Sequence, residues 1–518
     1  MRKTVLSRLQ ALRPVALGSM MVAAAMTTQA ATPFQVDVST AIDRGIEWLA
    51  RNGAYNNPSS AGNASGLAML ALLEKRASGN AGDPPQGYLG ANATDQARLR
   101  TAAAFILDRA NETSFYAYGD GAWMFGLASY ALSGGPDKSV LAPGNADYED
   151  IKQAMDRLVD RAVANQAQPS NVGGANPARW GYWCYSNYAC EDSSTTQFVS
   201  AGLDAAKVFY SSVKAGDQSY ADAARLAAIN TALARTKVAY ELNGAATGSD
   251  NASCNIVSPT ERGHGYNSAA SSGYKPSLAQ TSSGIYIQLF GGSDVNSPAV
   301  QQYMEWVRNH YRWQDLAGMG NFWSDYSYWY YLWSSFKGME VLRQSGVAAA
   351  PGNLGPNSYG TLAPNAACAV RQENKTPATY ARVASFGAGA AGYYGAEVKS
   401  QYFDYAHQIL THQCYDGSLP LGGQDGYFGC NSAPGRWDTY AEQSYALLVL
   451  QRSTGVVIQR CDVDGDGDVD RSDISLIRAA VGSVPGANDP RDDNLDGKVT
   501  VVDVRSCTLR CTRAACAN

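Results

Sequence analysis

The sequence predicts an all-α protein, an α/α toroid of about six helical hairpins followed by a small EF-hand-like module. Three observations carry that expectation. Amphipathic helical segments alternate with nearly uncharged ones through residues 35–455. Gly- and aromatic-rich loops separate them, and two Asp-rich loops repeat in residues 460–518.

The amphipathic member comes first in each pair. These segments read STAIDRGIEWLARN from 39, RLRTAAAFILDRA from 98, DIKQAMDRLVDRAVANQ from 150, INTALARTKVAYEL from 229, PAVQQYMEWVRNHY from 298 and QYFDYAHQILTHQ from 401. Apolar residues three and four apart give each helix one buried stripe and a charged outer face. Their partners are ASGLAMLALLEKR, GAWMFGLASYAL, STTQFVSAGLDAAKVF, LAQTSSGIYIQLF, YSYWYYLWSSFKGMEVL and YAEQSYALLVLQR. These are almost free of charge until the last turn, as suits helices covered on both sides. Six pairs with an exposed outer and a buried inner member make a closed ring of hairpins.

Composition and the N-terminal segment set the compartment. The 518 residues carry a formal net charge of -5, which leaves no basic footprint for nucleic acid. Arg2, Lys3, Arg8 and Arg13 precede an apolar run from Val15 to Met26, and the small residues of TTQAA follow. Residues 1–30 therefore read as a secretory signal peptide cleaved after Ala30. No later segment reaches the roughly 18 apolar residues of a membrane span. Ten cysteines in an oxidising compartment suggest disulfides, with Cys184–Cys190 and Cys414–Cys430 close enough for local bridges. The expected location is secreted, extracellular or periplasmic.

The tail CDVDGDGDVDRSD places Asp462, Asp464 and Asp466 at loop positions 1, 3 and 5, Gly467 at 6, Asp470 at 9 and Asp473 at 12. Thirty residues later the same slots hold Asp492, Asn494, Asp496, Gly497, Thr500 and Asp503. Position 7 supplies a backbone carbonyl, so Asp468 and Lys498 are both acceptable there. A hard cation needs six to eight oxygens, and the Gly allows the turn that brings them together. Two Ca²⁺ sites are the expectation.

Two resemblances follow from these residues. GIEWLARNG, RWGYW, EDSSTTQFVSAGLDAA, SDYSYWYYLWSSFKGME and WDTYAEQSYALLVLQR are similar to the prenyltransferase and squalene-oxidase repeat, which implies the α/α toroid of terpene cyclases and protein prenyltransferases. The duplicated loop–helix tail resembles a dockerin type I module. That resemblance implies a tie between the module's ends, here Cys461 with Cys507 or Cys511, and a cohesin-like or other extracellular partner. Dockerins contact cohesin near loop positions 10 and 11, often Ser-Thr, where this chain has Arg471-Ser472 and Val501-Val502.

The chemistry of the two toroid families is not matched. A class II cyclase's D-x-D-D string and a class I enzyme's D-D-x-x-D cluster are both missing from residues 35–455, and no inner helix carries both Cys and His for zinc. CEDSST offers only Glu191 and Asp192, followed by hydroxyls. Asp192 or Ser193 reads better as a helix cap. Asp120, Thr281-Ser282, Asp325 and Thr439 read as the same device at other inner helices.

The inner-helix starts are expected to converge on one end of a cavity. Trp123, Trp183, Tyr328, Trp329, Tyr331 and Trp333 would line it, with Asp192, Gln197, Asp325, Glu442 and Gln443 as polar partners; a glycan or an apolar small molecule suits such a wall. Asp192, Asp325 and Glu442 are the candidate catalytic carboxylates, and His264 is a possible base. The expected function is an exported binding or scaffold protein displayed through its tail. The alternative is a glycan-active enzyme using a carboxylate pair, and a terpene cyclase comes third.

Overall fold

The computed structural model describes residues 31–56, 64–79, 85–110, 114–137, 150–172, 176–212, 220–244, 258–267, 275–313, 327–344, 374–383, 392–415, 422–455, 461–463, 469–485, 489–493, 498–509, 511 and 516. The expected signal peptide, Asp325, Asp464, Asp466, Asp468, Asn494 and Asp496 lie outside them. Among the described residues the chain is helical and forms no β-strand, only isolated bridges.

Six amphipathic helices form where the apolar spacing places them: α1 (Pro33–Arg51), α3 (Ala93–Arg109), α5 (Ile151–Ala164), α8 (Ala223–Asn243), α10 (Pro298–Asn309) and α12 (Gln401–Thr411). Local chemistry, rather than the apolar stripe, sets most of their starts. Thr32 and Asp150 close capping boxes at α1 and α5, while Asn92, Asp222 and Ser400 cap α3, α8 and α12. The Thr32 box starts α1 six residues before the expected Ser39.

The uncharged helices are α2 (Ala64–Leu73), α4 (Ala117–Leu132), α7 (Ser193–Ser211), α9 (Leu278–Phe290), α11 (Tyr328–Gln344) and α13 (Thr439–Leu450); α6 is the single turn Pro169–Val172. Every residue of α2 is buried, as its lack of any polar face requires. Their mutual contacts run α2–α4–α7–α9–α11–α13 and return from α13 to α2, a closed circuit. The amphipathic helices pack around it: α3 against α2 and α4, α5 against α4 and α7, α8 against α7 and α9, α12 against α11 and α13. Close approach depends on missing side chains. A Cβ on Gly66 would meet the Ala122 carbonyl oxygen at 2.4 Å, and one on Gly202 would meet the Gly121 Cα at 3.0 Å.

Aromatic rings fill the middle of the circuit. Phe125 of α4 meets Phe198 of α7 at 5.4 Å and Trp333 of α11 at 5.8 Å, and Trp333 stacks on Tyr445 of α13 at 5.5 Å. Tyr118 and Tyr330 close over them, 5.7 Å apart. Such rings bring large apolar area and specific edge-to-face geometry to one packed core. Below Trp333 the buried Lys337 amine lies 4.0 Å from that ring, 4.7 Å from Tyr286 and 5.6 Å from Phe125.

The tail buries its own small cluster of Cys461, Val469, Ile474, Ile477, Val499 and Cys507. Helices α14 (Arg471–Ala479) and α15 (Val501–Leu509) pack on each other. Among the described residues, four cysteine pairs lie at bonding distance: Cys184–Cys190, Cys414–Cys430, Cys461–Cys507 and Cys511–Cys516. No described helix is long and apolar enough to cross a membrane.

Candidate functional site

Residues near the starts of α4, α7 and α11 meet at one end of the circuit, Tyr118 with Ser194 and Tyr330, and the sequence around each start decides what it meets. Asp192 is the N-cap of α7. Its Oδ1 accepts from the Ser194 and Thr195 amides at 2.8 and 3.0 Å and from the Ser194 hydroxyl at 2.6 Å, and its Oδ2 accepts from Tyr266 Oη. Burial raises its pKa, while these donors pull it back. Beside it Glu191 pairs with Arg179. The acidic pair of CEDSST is thus held by protein groups on both residues.

The other caps sit at different residues from those expected. Ser277 caps α9 and Asp438 caps α13, so Thr281-Ser282 lie inside one helix and Thr439 is the first residue of the other. Helix α4 starts at Ala117 with no side-chain cap, which puts Asp120 in its first turn. There Asp120 takes a two-pronged ion pair from Arg161 of α5, with contacts of 2.6 and 2.8 Å. Periodicity locates a helix but not its first residue, and that displaces all three caps.

The fourth residue of these helices shows a pattern that periodicity does not reveal. Asp120 is fourth in α4 and binds Arg161. Thr196 is fourth in α7, and its hydroxyl accepts the Trp183 amide at 2.9 Å. Thr281 is fourth in α9 and accepts the His264 amide at 3.0 Å. Each ties the preceding loop or the outer helix to the inner one. Glu442 is fourth in α13, wholly buried, and neither of its oxygens has a hydrogen-bond partner. Burial holds its pKa well above the usual carboxylate range. Arg436 and the Tyr330 backbone favour its ionised form, and Asp438 opposes it.

Tyr331 is fourth in α11. Its hydroxyl feels the charge of both Asp192 and Glu442 and lies beside Gln280 of α9. Gln280 accepts from Ser193 Oγ at 2.8 Å, leaving its own amide Nε2 without an acceptor. Tyr328 Oη and Trp329 Nε1 are likewise buried and unpartnered. The Arg436 guanidinium lies over Trp329 at 5.0 Å, and Trp437 packs 5.5 Å from Tyr118.

The remaining expected lining residues divide. Trp183 faces outward to α5, donating its indole N–H to the Ala162 carbonyl at 2.7 Å. Trp123 is buried in the core, and Trp333 belongs to the packed aromatic middle. Gln197 is fully used across the ring, donating to Tyr330 Oη at 2.6 Å and accepting from Tyr286 Oη at 2.7 Å. Gln443 ties the preceding loop, accepting the Phe428 amide at 3.0 Å and donating to the Gly426 carbonyl at 2.9 Å. His264 is buried, stacked 4.0 Å from Tyr240 and bonded through both ring nitrogens to Tyr182 Oη and the Gly265 carbonyl. Burial pushes its pKa down to about 4, and a neutral, fully bonded imidazole serves packing.

In the tail the described ends of the two loops repeat one pattern of hydrogen bonds. Asp473 Oδ1 accepts the amide of position 2, Val463, at 2.6 Å, and its Oδ2 accepts that of position 9, Asp470, at 2.8 Å. Asp503 does the same with Asp493 at 3.0 Å and Thr500 at 2.8 Å. Both carboxylates are fully buried, as are Val469 and Val499, the position-8 residues. Val501 and Val502 are exposed, at 71% and 56%.

No protein-family model matches the chain, and no curated protein or solved structure does so either.

Proposed function

We propose that this is an exported binding or scaffold protein, an α/α toroid joined to a calcium-stabilised, dockerin-like module that attaches it to another extracellular protein. The closed circuit of inner helices and their outer partners supports the toroid. The packed aromatic middle leaves the ring a rigid body rather than an open channel through the described residues. The disulfide-distance pairs support export.

The duplicated placement of Asp473 and Asp503 carries the reading of the tail. A carboxylate at position 12 that gathers the backbone of positions 2 and 9 draws both ends of the loop around one point, as an oxygen-ligand cation site requires. Asp462, Asp464, Asp466, Asp470 and Asp473 would hold one Ca²⁺, with the backbone carbonyl of Asp468; Asp492, Asn494, Asp496, Thr500 and Asp503 would hold the other, with that of Lys498. The ions supply folding energy to a module with a very small core. The exposed Val501-Val502 pair is the partner face, for a cohesin-like or other extracellular protein.

Calcium titration of the full chain tests this. Two ions should bind, Asp473→Ala and Asp503→Ala should each remove one, and chelation should open the tail to protease while the toroid resists. Equal tail resistance with and without chelator would sink the calcium module. A second reading, a glycan-active enzyme, is favoured by one observation, the unpartnered Glu442 carboxyl, which acts with Asp192 on the Tyr331 hydroxyl. Turnover of a glycan that disappears in Asp192→Asn or Glu442→Gln would replace the scaffold reading with it.

A further inference from the structure

The fourth residues of α4, α7 and α9 show what an architectural polar group looks like in this ring: each is bonded to a neighbouring loop or outer helix. Glu442 breaks that rule in a place where breaking it is costly. A buried polar group without a partner loses its hydration with nothing in return, and Glu442 has two such oxygens with no exposed surface. The Gln280 amide, Tyr328 Oη and Trp329 Nε1 add buried donors without acceptors on the facing helices. We propose that this end of the circuit, between the starts of α9, α11 and α13, is a binding site for a neutral saccharide, with Glu442, Gln280 and Tyr331 taking its hydroxyls.

The ligand class follows from the balance of groups. A cation is disfavoured by Arg436, whose charge acts on Glu442. An anion is disfavoured by the Asp192 and Asp438 carboxyls, whose charges act on Tyr331 and Glu442. An apolar ligand would leave the unpartnered groups as they are. A neutral molecule bearing both donors and acceptors satisfies them: Gln280 Nε2 and Trp329 Nε1 give hydrogen bonds, and the Glu442 carboxyl both gives and takes one. The rings at this end are packed on protein groups, Trp329 against Tyr328 and under Arg436, and Trp437 against Tyr118, so hydrogen bonding rather than ring stacking selects the ligand. This inference deepens the reading of the toroid as a binding body and does not involve the tail.

The test uses the full chain and a panel of glucose, galactose, mannose and xylose with their α- and β-linked disaccharides. Glucuronate, glucosamine and farnesol are the charged and apolar controls. Calorimetry and tryptophan fluorescence read binding. At least one neutral saccharide should bind, and Tyr331→Phe and Glu442→Leu should each weaken it roughly tenfold for the lost hydrogen bonds. Tyr331→Phe removes a single hydroxyl and keeps the test alive if Glu442→Leu does not fold. No binding by any neutral saccharide, tighter binding of a control, or equal binding by Tyr331→Phe and wild type would overturn the proposal. Chelating calcium should leave saccharide binding unchanged, so failure here and failure of the calcium module give different results.

Discussion

Asp192 and Glu442 stand at the starts of two helices of one ring, α7 and α13, and differ in every polar contact. Asp192 takes four donors, from two amides, a serine and a tyrosine. Glu442 is equally hidden from water and takes none. Both acids are pushed upward by burial, yet only one is anchored by the fold. An acid's neighbours, rather than its burial or its place in a polar run, tell architecture from a group kept for something else. The largest expected effect tests the first half of this contrast. Asp192→Ala removes the cap of α7 and the charged acceptor shared by Tyr266 Oη and Ser194 Oγ, which keep Tyr185 and Tyr118 as partners, so it should cost about 3 kcal/mol in denaturant unfolding. A loss no greater than the roughly 1 kcal/mol of an ordinary cap would break the comparison.

The second half is tested by pH. In the unfolded chain Glu442 ionises near the ordinary value of about 4.3, whereas in the fold it stays protonated well above that. Its contribution is therefore full below about pH 4 and is lost as pH rises toward the folded pKa, at about 1.4 kcal/mol for each pH unit crossed between the two values. Glu442→Gln cannot ionise. The variant should match the wild type near pH 4 and become the more stable of the two by pH 7, read from paired thermal or urea unfolding. A difference that stays flat across that range would show that Glu442 is ionised in the fold, and the two acids would no longer differ in charge.

Much of the architecture was legible because burial writes itself into periodicity. The stripe of DIKQAMDRLVDRAVANQ and the uncharged run ASGLAMLALLEKR place α5 and α2 within a few residues. Helix starts were less legible. Asp120 and Thr281 look like caps in a linear chain, but Arg161 and the His264 amide, which use them, come from other segments. The site was half legible for the same reason. In the sequence Glu442 is a candidate acid behind Asp192 and Tyr331 a lining residue, and nothing in their own segments shows what each will meet. That depends on Tyr266, Gln280 and Arg436, which only folding brings near. The filled middle was not legible either, since an aromatic residue reads alike whether it lines a cavity or packs one.

Lys337 extends the contrast to a cation and gives the smallest effect. It lies on α11 like Tyr331, buried against Trp333, Tyr286 and Phe125, with Asp204 of α7 as the charge that acts on it, Lys207 paired to that Asp204, and Glu340 of its own helix held by Arg343. Burial lowers its pKa from 10.5 to about 7. Between those values the unfolded chain binds a proton that the folded chain lacks, so stability rises with pH across that window and the cost is full below it. The three ring faces act the other way, because each stabilises an ammonium by about 0.5–2 kcal/mol when desolvated. Lys337→Met should therefore gain only about 1 kcal/mol at pH 6, with the gain shrinking toward pH 10. If the variant is less stable than the wild type at pH 6, the rings outweigh desolvation. Lys337 is then an anchored charge, as Asp192 is an anchored acid, and Glu442 is left as the exception among these three.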